Sequence, residues 1–163
     1  MLLYTSKLKM DQRGNYQFEL HEDIKPFEYN GESVRFAGPV VIRGEIQKHQ
    51  DYSTVTGHIN GKVILKCSRC LGEFVFEIDT AFQRKYSETA DQEEVLPMKG
   101  DRIDITEPVN ESILLELPIK GLCRQDCRGI CPVCGSDRNE NHCNCSQDDI
   151  DPRLAGLRKL LKE

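Results

Sequence analysis

A chain of 163 residues with a formal charge of −5 is long enough for one domain with a real core and a small appended module. No window approaches the apolar length of a bilayer span, and the negative balance disfavours broad electrostatic attraction to nucleic acid or acidic lipid. The acidity is local. Residues 87–117 hold nine acids against Lys99 and Arg102, whereas the rest of the chain is nearly balanced.

Taken in order, Tyr16, Phe18 and Leu20 alternate with Gln17 and Glu19, a period of two that predicts a strand. Ile24-Lys25-Pro26-Phe27 breaks it. Val34 and Phe36 predict another, ended by Gly38-Pro39, and Leu2 and Leu3 are expected to pair with the same sheet. From Val40 the alternation is clean. Val40, Ile42 and Ile46 share one face, with Arg43, Glu45 and Gln47 opposite. Val55 and Ile59 lead to Asn60-Gly61, which predicts a hairpin turn because both residues tolerate positive φ. Val63, Leu65 and Cys67 continue one face. After a knuckle at 67–72, Phe74, Phe76, Ile78 and Phe82 form an apolar side opposite Glu73, Val75, Glu77 and Asp79. Such alternation predicts antiparallel strands with one buried face, and Val63, Leu65, Phe74, Phe76 and Ile78 are the expected core.

Residues 87–102 are polar and acidic without a period, which predicts a solvated loop. Ile103 and Ile105 predict a short strand. Thr106 is placed to cap a helix with Pro108 in its first turn, and Ile113, Leu114 and Leu117 would line its buried side. Pro118 ends it. Far downstream, Asp151-Pro152 opens a second short helix with Leu154, Leu157, Leu160 and Leu161 as its apolar stripe.

Between the two helices lies the chemistry. Residues 123–145 read C-R-Q-D-C-R-G-I-C-P-V-C-G-S-D-R-N-E-N-H-C-N-C and hold six of the eight cysteines. The other two stand upstream in Cys67-Ser68-Arg69-Cys70. A C-x-x-C turns two sulfurs toward one metal, and a following glycine permits the tight turn that aims backbone N–H groups at the thiolates. The rival is a disulfide framework. The opening Met1-Leu2-Leu3-Tyr4-Thr5-Ser6-Lys7 has no charged region followed by an apolar run, so export is not expected and a reducing cytoplasm is. The expectation is two zinc ions held by Cys67, Cys70, Cys123, Cys127, Cys131, Cys134, Cys143 and Cys145.

Two partitions of these ligands are open. Adjacency would group Cys123, Cys127, Cys131 and Cys134. The alternative gives Cys67, Cys70, Cys123 and Cys127 one metal and Cys131, Cys134, Cys143 and Cys145 the other. The second is preferred because its downstream site closes on itself while the upstream one staples the sheet to the segment after the first helix. Cys143 and Cys145 are alternate residues and can share a metal only in a turn; His142 is a conceivable substitute for Cys143. Four sulfurs describe a closed structural site, whereas a catalytic zinc keeps a position for water. No H-E-x-x-H, phosphate-binding loop, G-x-S-x-G or dinucleotide fingerprint occurs, so no enzyme activity is expected.

The chain resembles the YceD proteins, also called large ribosomal RNA subunit accumulation proteins. The likeness is carried by Cys67-Ser68-Arg69-Cys70-Leu71, by Leu117-Pro118 leading into C-x-x-x-C-x-G-I-C-P-V-C-G, and by Asn139, Cys143-Asn144-Cys145 and Asp151-Pro152-Arg153-Leu154. It implies a bacterial cytoplasmic factor for the synthesis, processing or stability of the large-subunit ribosomal RNA. Some relatives keep counterparts of only the first four cysteines, which supports the second partition. The expected partner is ribosomal RNA, a large-subunit precursor or a ribosomal protein. The alternative is a zinc-stabilised adaptor with a protein partner only, using the acidic 87–104 segment or a sheet edge. If RNA is touched directly, Arg69, Arg124, Arg128, Arg138, Arg153, Arg158 and Lys159 are the candidate contacts. The expected fold is α+β: an antiparallel β-rich body over residues 1–106, then residues 107–163 with a short helix and a cysteine-rich zinc-knuckle module ending in a helix.

Overall fold

The computed structural model describes residues 1–7, 9–10, 15–89 and 95–145. Its strands are β1 (Leu2–Tyr4), β2 (Lys9–Met10), β3 (Tyr16–Glu22), β4 (Phe27–Tyr29), β5 (Glu32–Phe36), β6 (Val40–Lys48), β7 (Ser53–Lys66), β8 (Glu73–Ser87), β9 (Val95–Pro97) and β10 (Arg102–Asp104), followed by the helix α1 (Thr106–Glu116). The result is an antiparallel β-rich body with one helix among the described residues. The second helix, predicted near residues 152–162, lies outside them.

β7 is the axis. Along one side it pairs with β8 over its full length, from Ser53↔Tyr86 to Lys66↔Glu73. On the other side it pairs first with β6, up to Val41↔Asn60, and then with β5 at Phe36↔Val63 and Arg35↔Ile64. β3 extends the sheet beyond β6 and β4 beyond β5. Asn60-Gly61 is therefore no turn. Asn60 Nδ2 donates to Asp79 Oδ1 on β8 at 3.2 Å, and the dipeptide marks where β6 hands its edge of β7 to β5. Gly61 suits that place because a Cβ there would lie 3.2 Å from Val40 Cγ2. β1 pairs with β10 in a separate ribbon and not with the large sheet. Within the predicted loop, Val95–Pro97 instead runs parallel to the end of β8.

One face of the sheet is the core. Val40, Ile42, Ile46, Val55, Ile59, Val63, Ile78 and Phe82 are buried there, and each fully buried aliphatic side chain contributes roughly 1.5–3 kcal/mol. Phe74 and Phe76 are only half-buried at its margin. The transverse row Phe18, Gly44, Gly57, Phe82 explains two glycines that alternation alone cannot. A Cβ on Gly57 would stand 2.4 Å from Phe82 Cε1, and one on Gly44 would stand 2.7 Å from Phe18 Cζ. The facing glycines thus open a slot that the two rings fill. The opposite face is ionic, with Lys62–Glu77, Arg35–Glu73 and Arg43–Glu19 exposed. Each such pair is worth little alone.

α1 packs against β8 through Val109, Ile113 and the following Leu117, all buried. Leu114, expected on that side, is instead exposed, since the buried stripe steps by four residues. Thr106, expected as the cap, is the first helical residue, and Ile105 before it makes no side-chain cap bond. Asp104 Oδ1 accepts from the Thr106 N–H at 2.9 Å and from its hydroxyl at 2.6 Å, which together hold the Asp104 carboxyl below its usual range. The buried Tyr86 hydroxyl donates to the Asp104 carbonyl at 3.0 Å, tying β8 to the helix start. Leu117 is extended before Pro118, as the proline ring requires, and the chain turns there toward the cysteines.

Candidate metal centres

The hairpin between β7 and β8 makes the first knuckle. Cys67 N–H donates to the Gly72 carbonyl at 2.8 Å and Leu71 N–H to the Cys67 carbonyl at 2.9 Å. The second knuckle repeats this bond for bond: Cys131 N–H to the Ser136 carbonyl at 2.8 Å, and Gly135 N–H to the Cys131 carbonyl at 2.9 Å. In both, the residue after the second cysteine has positive φ, +62° at Leu71 and +74° at Gly135. Glycine meets that demand freely. Leucine meets it at a steric cost of about 1–2 kcal/mol.

These turns gather the sulfurs into two groups. Cys67, Cys70, Cys123 and Cys127 have all four Sγ atoms within 4.8 Å of one another, and so have Cys131, Cys134, Cys143 and Cys145. This is the second of the two partitions open from sequence. Cys67–Cys127 and Cys70–Cys123 are each 3.8 Å apart. Tetrahedral zinc with bonds near 2.3 Å has ligand edges of about 3.8 Å, whereas a disulfide requires about 2.05 Å. All eight cysteines are free thiols in the structure. His142 joins neither group. His21, His49 and His58 lie on the body, beside Glu19, Tyr52 and Asp79 respectively.

The electrostatics within each group are uneven. Burial pushes the Cys67 thiol up, but bonds from the backbone of Cys123, Cys70 and Arg69 outweigh it and bring it down to about 6. Desolvation and then the surrounding thiols push Cys123 up to about 12. In the second group the Ser136 hydroxyl, 3.1 Å from its sulfur, leads in lowering Cys134 to about 6. Cys134 in turn is the chief cause that raises Cys145 to about 12. Four anionic sulfurs at this spacing repel one another unless a metal supplies positive charge.

The two groups are clasped together. Arg69, from the first knuckle, donates through Nη1 to the Cys127 carbonyl at 2.9 Å and to the Gln125 carbonyl at 3.3 Å. Its own carbonyl accepts from Ile130 N–H at 3.0 Å. Gly129, at φ +70°, passes so close that a Cβ there would sit 2.8 Å from the Arg69 carbonyl oxygen. From the second loop, Asn139 Nδ2 donates to Cys127 Sγ at 3.5 Å while its Oδ1 accepts from Arg128 N–H and from Arg124 Nη2. An N–H aimed at a sulfur of the group is the kind of outer contact that would orient a metal held there.

A profile described as "Large ribosomal RNA subunit accumulation protein YceD" matches residues 55–161, a span containing both knuckles and every cysteine. The chain belongs to the YceD family. An uncharacterized Bacillus subtilis (strain 168) protein, YlbN, is 30% identical over 162 residues, covering 95% of this chain and 94% of its own. The uncharacterized Mycobacterium tuberculosis (strain H37Rv) protein Rv2926c is 26% identical over 167 residues, 94% of this chain and 78% of its own. An Arabidopsis thaliana protein named large ribosomal RNA subunit accumulation protein YCED homolog 1, chloroplastic, is 28% identical over 67 residues, 41% of this chain and 21% of its own. No solved structure matches.

Of the arginines singled out from sequence in this YceD chain, Arg69 has a structural task, and Arg124 also faces Asp126 at 3.5 Å. Arg128 and Arg138 lie together on the module. Arg153, Arg158 and Lys159 fall outside the described residues. Sequence reasoning gave no structural part to Gly129 or Asn139, although both belong to the family likeness. The spacing of the cysteines carries no sign of the loop-to-knuckle contacts they make. No helix among the described residues is long and apolar enough to cross a membrane.

Proposed function

We propose that this YceD-family chain is a non-enzymatic cytoplasmic factor that maintains the large-subunit ribosomal RNA during ribosome biogenesis, with one structural zinc in each cysteine group. The observation that carries the reading is the coincidence of the family match with two four-sulfur groups inside it. A four-thiolate set completes a tetrahedral shell and leaves no position for a reacting water, which suits a structural metal. Cys67, Cys70, Cys123 and Cys127 would hold the first ion, fastening the β7–β8 hairpin to the chain beyond α1. Cys131, Cys134, Cys143 and Cys145 would hold the second. Each ion supplies charge and folding free energy.

A protein contact is favoured by a separate feature. Leu114 and Leu115 are exposed on α1, beside a groove lined by Tyr86, Leu96 and Pro97 and rimmed by Asp104, Glu107 and Glu111. Glu111 is paired with Arg84 at 2.6 Å and Asp104 with the amino terminus at 3.7 Å, which leaves Glu107 as the rim acid without an ion pair among the described residues. Such a mainly apolar groove suits an apolar segment of a ribosomal protein that carries a basic residue. This extends the reading, since a factor on a precursor particle meets both RNA and protein. The test is recovery of the tagged protein from cells, with sequencing of bound RNA and identification of bound proteins. Large-subunit ribosomal RNA or its precursor is expected to be enriched. Recovery of unrelated proteins with no ribosomal RNA or ribosomal protein would reject the reading.

A further inference from the structure

We infer that a backbone phosphate of RNA seats between Arg128 and Arg138, at the lip of the second cysteine group. This rests on the ribosomal RNA reading above and assigns it a place in the fold. A cleft of about 410 Å³ opens there, lined by Arg128, Arg138, Asn141, His142 and Cys143. That volume falls in the roughly 300–1,000 Å³ of small-ligand sites. Arginine, asparagine and histidine all offer N–H donors, and no carboxylate among the described residues lines the cleft. The chemistry selects an anion with several acceptor oxygens.

Among the described residues nothing occupies the two guanidinium groups. Arg35, Arg43, Arg84 and Arg124 each face a carboxylate, and Arg69 is engaged with carbonyls. Among the described residues, Arg128 and Arg138 have neither an ion pair nor a side-chain hydrogen bond. The nearby carboxylate of Asp137 is occupied, accepting from Asn139 N–H at 2.8 Å and from Asn139 Nδ2 at 2.6 Å.

Their positions are fixed by the main chain. Arg128 N–H donates to Asn139 Oδ1 at 2.9 Å, and Arg138 N–H to the Gly129 carbonyl at 2.9 Å. The Ile130↔Asp137 bridge lies between them. The backbone that carries the two arginines is thus braced, so binding has only their side chains left to order. Their planar forks match phosphate oxygens in pairs. The Asn141 amide and an N–H of the His142 imidazole complete the donor set. Backbone phosphates carry no sequence, so the cleft would position RNA without reading its bases.

The test uses the metal-loaded full chain and a single-stranded 20-nucleotide oligouridylate. In the wild type, the Nε–Hε signals of Arg128 and Arg138 and the Asn141 side-chain amide are expected to shift on titration, followed by NMR. Arg128→Ala with Arg138→Ala should weaken binding by about tenfold and reduce the salt slope of log K by about 0.7, one phosphate on a single strand. Removing the same charge from the outer sheet face, with Arg35→Ala and Arg43→Ala, should change neither. If the wild-type signals stay in place, whether or not the oligonucleotide binds elsewhere, the inference is wrong; this outcome does not depend on how the variants fold. A cleft that binds the probe in a protein whose loss leaves ribosomal RNA normal would retire the cellular reading and keep the site. The reverse result would retire the site alone.

Discussion

Cys67 Sγ lies 3.8 Å from Cys127 Sγ, although sixty residues separate them in the chain. Closing a loop of that length costs about 3–4 kcal/mol of chain entropy, and four sulfurs brought together repel once ionised. A metal offsets both. A metal there would add to the bonds from Ser68 N–H to the Gly121 carbonyl and from Arg69 to the Cys127 carbonyl, which already join the cysteine loop to the sheet.

From this follows a partition that elemental analysis can read. The purified chain should carry two zinc equivalents. Cys67→Ser and Cys127→Ser should each lose one equivalent and free residues 119–145 from the sheet, seen as faster amide exchange there. Cys131→Ser should lose the other equivalent and spare the first. An unmetallated protein with intact disulfides would contradict the assignment, and so would equal metal loss in all three variants.

The matched knuckles differ in the residue at positive φ. Leu71 is 61% exposed, so Leu71→Gly removes strain and little packing. A gain near 1 kcal/mol is expected, less the added freedom of glycine in the unfolded chain. Gly135→Ala has open space around its Cβ yet should cost about 1 kcal/mol from φ alone. Competition of each variant with a calibrated chelator would measure both. Opposite signs at the two positions are the outcome expected.

In the sheet, Gly57→Ala should destabilise by about 1–3 kcal/mol because its Cβ meets the Phe82 ring. Gly57→Ala combined with Phe82→Leu should recover part of that loss. Urea unfolding of the metal-loaded protein measures it, and full additivity of the two changes would remove the proposed slot.

The body was legible in the sequence wherever a face alternated. Val40 to Ile46 and Phe74 to Phe82 each announce a half-buried strand, because side-chain direction reverses at every residue. Asn60-Gly61 misled because its turn chemistry is local, while β7 is held straight by partners on both sides, including Asp79. Leu114 misled because a short apolar run fits more than one helical phase, and only packing on β8 selects Val109, Ile113 and Leu117. The cysteine clusters named the eight sulfurs that the structure gathers into two groups. How the pairs combine was visible only as a preference, since it depends on the β7–β8 hairpin and the α1 exit meeting in space. Gly129 stands in the family string C-x-G-I-C, but nothing in that string says that it packs on Arg69.

The measurement closest to the central claim is the ratio of large-subunit to small-subunit ribosomal RNA in a strain lacking this protein. The ratio should fall, recover with the wild-type gene, and stay low with Cys127→Ser expressed at the same level. A ratio unchanged by the deletion would contradict the role, and full rescue by Cys127→Ser would contradict its dependence on the first metal site.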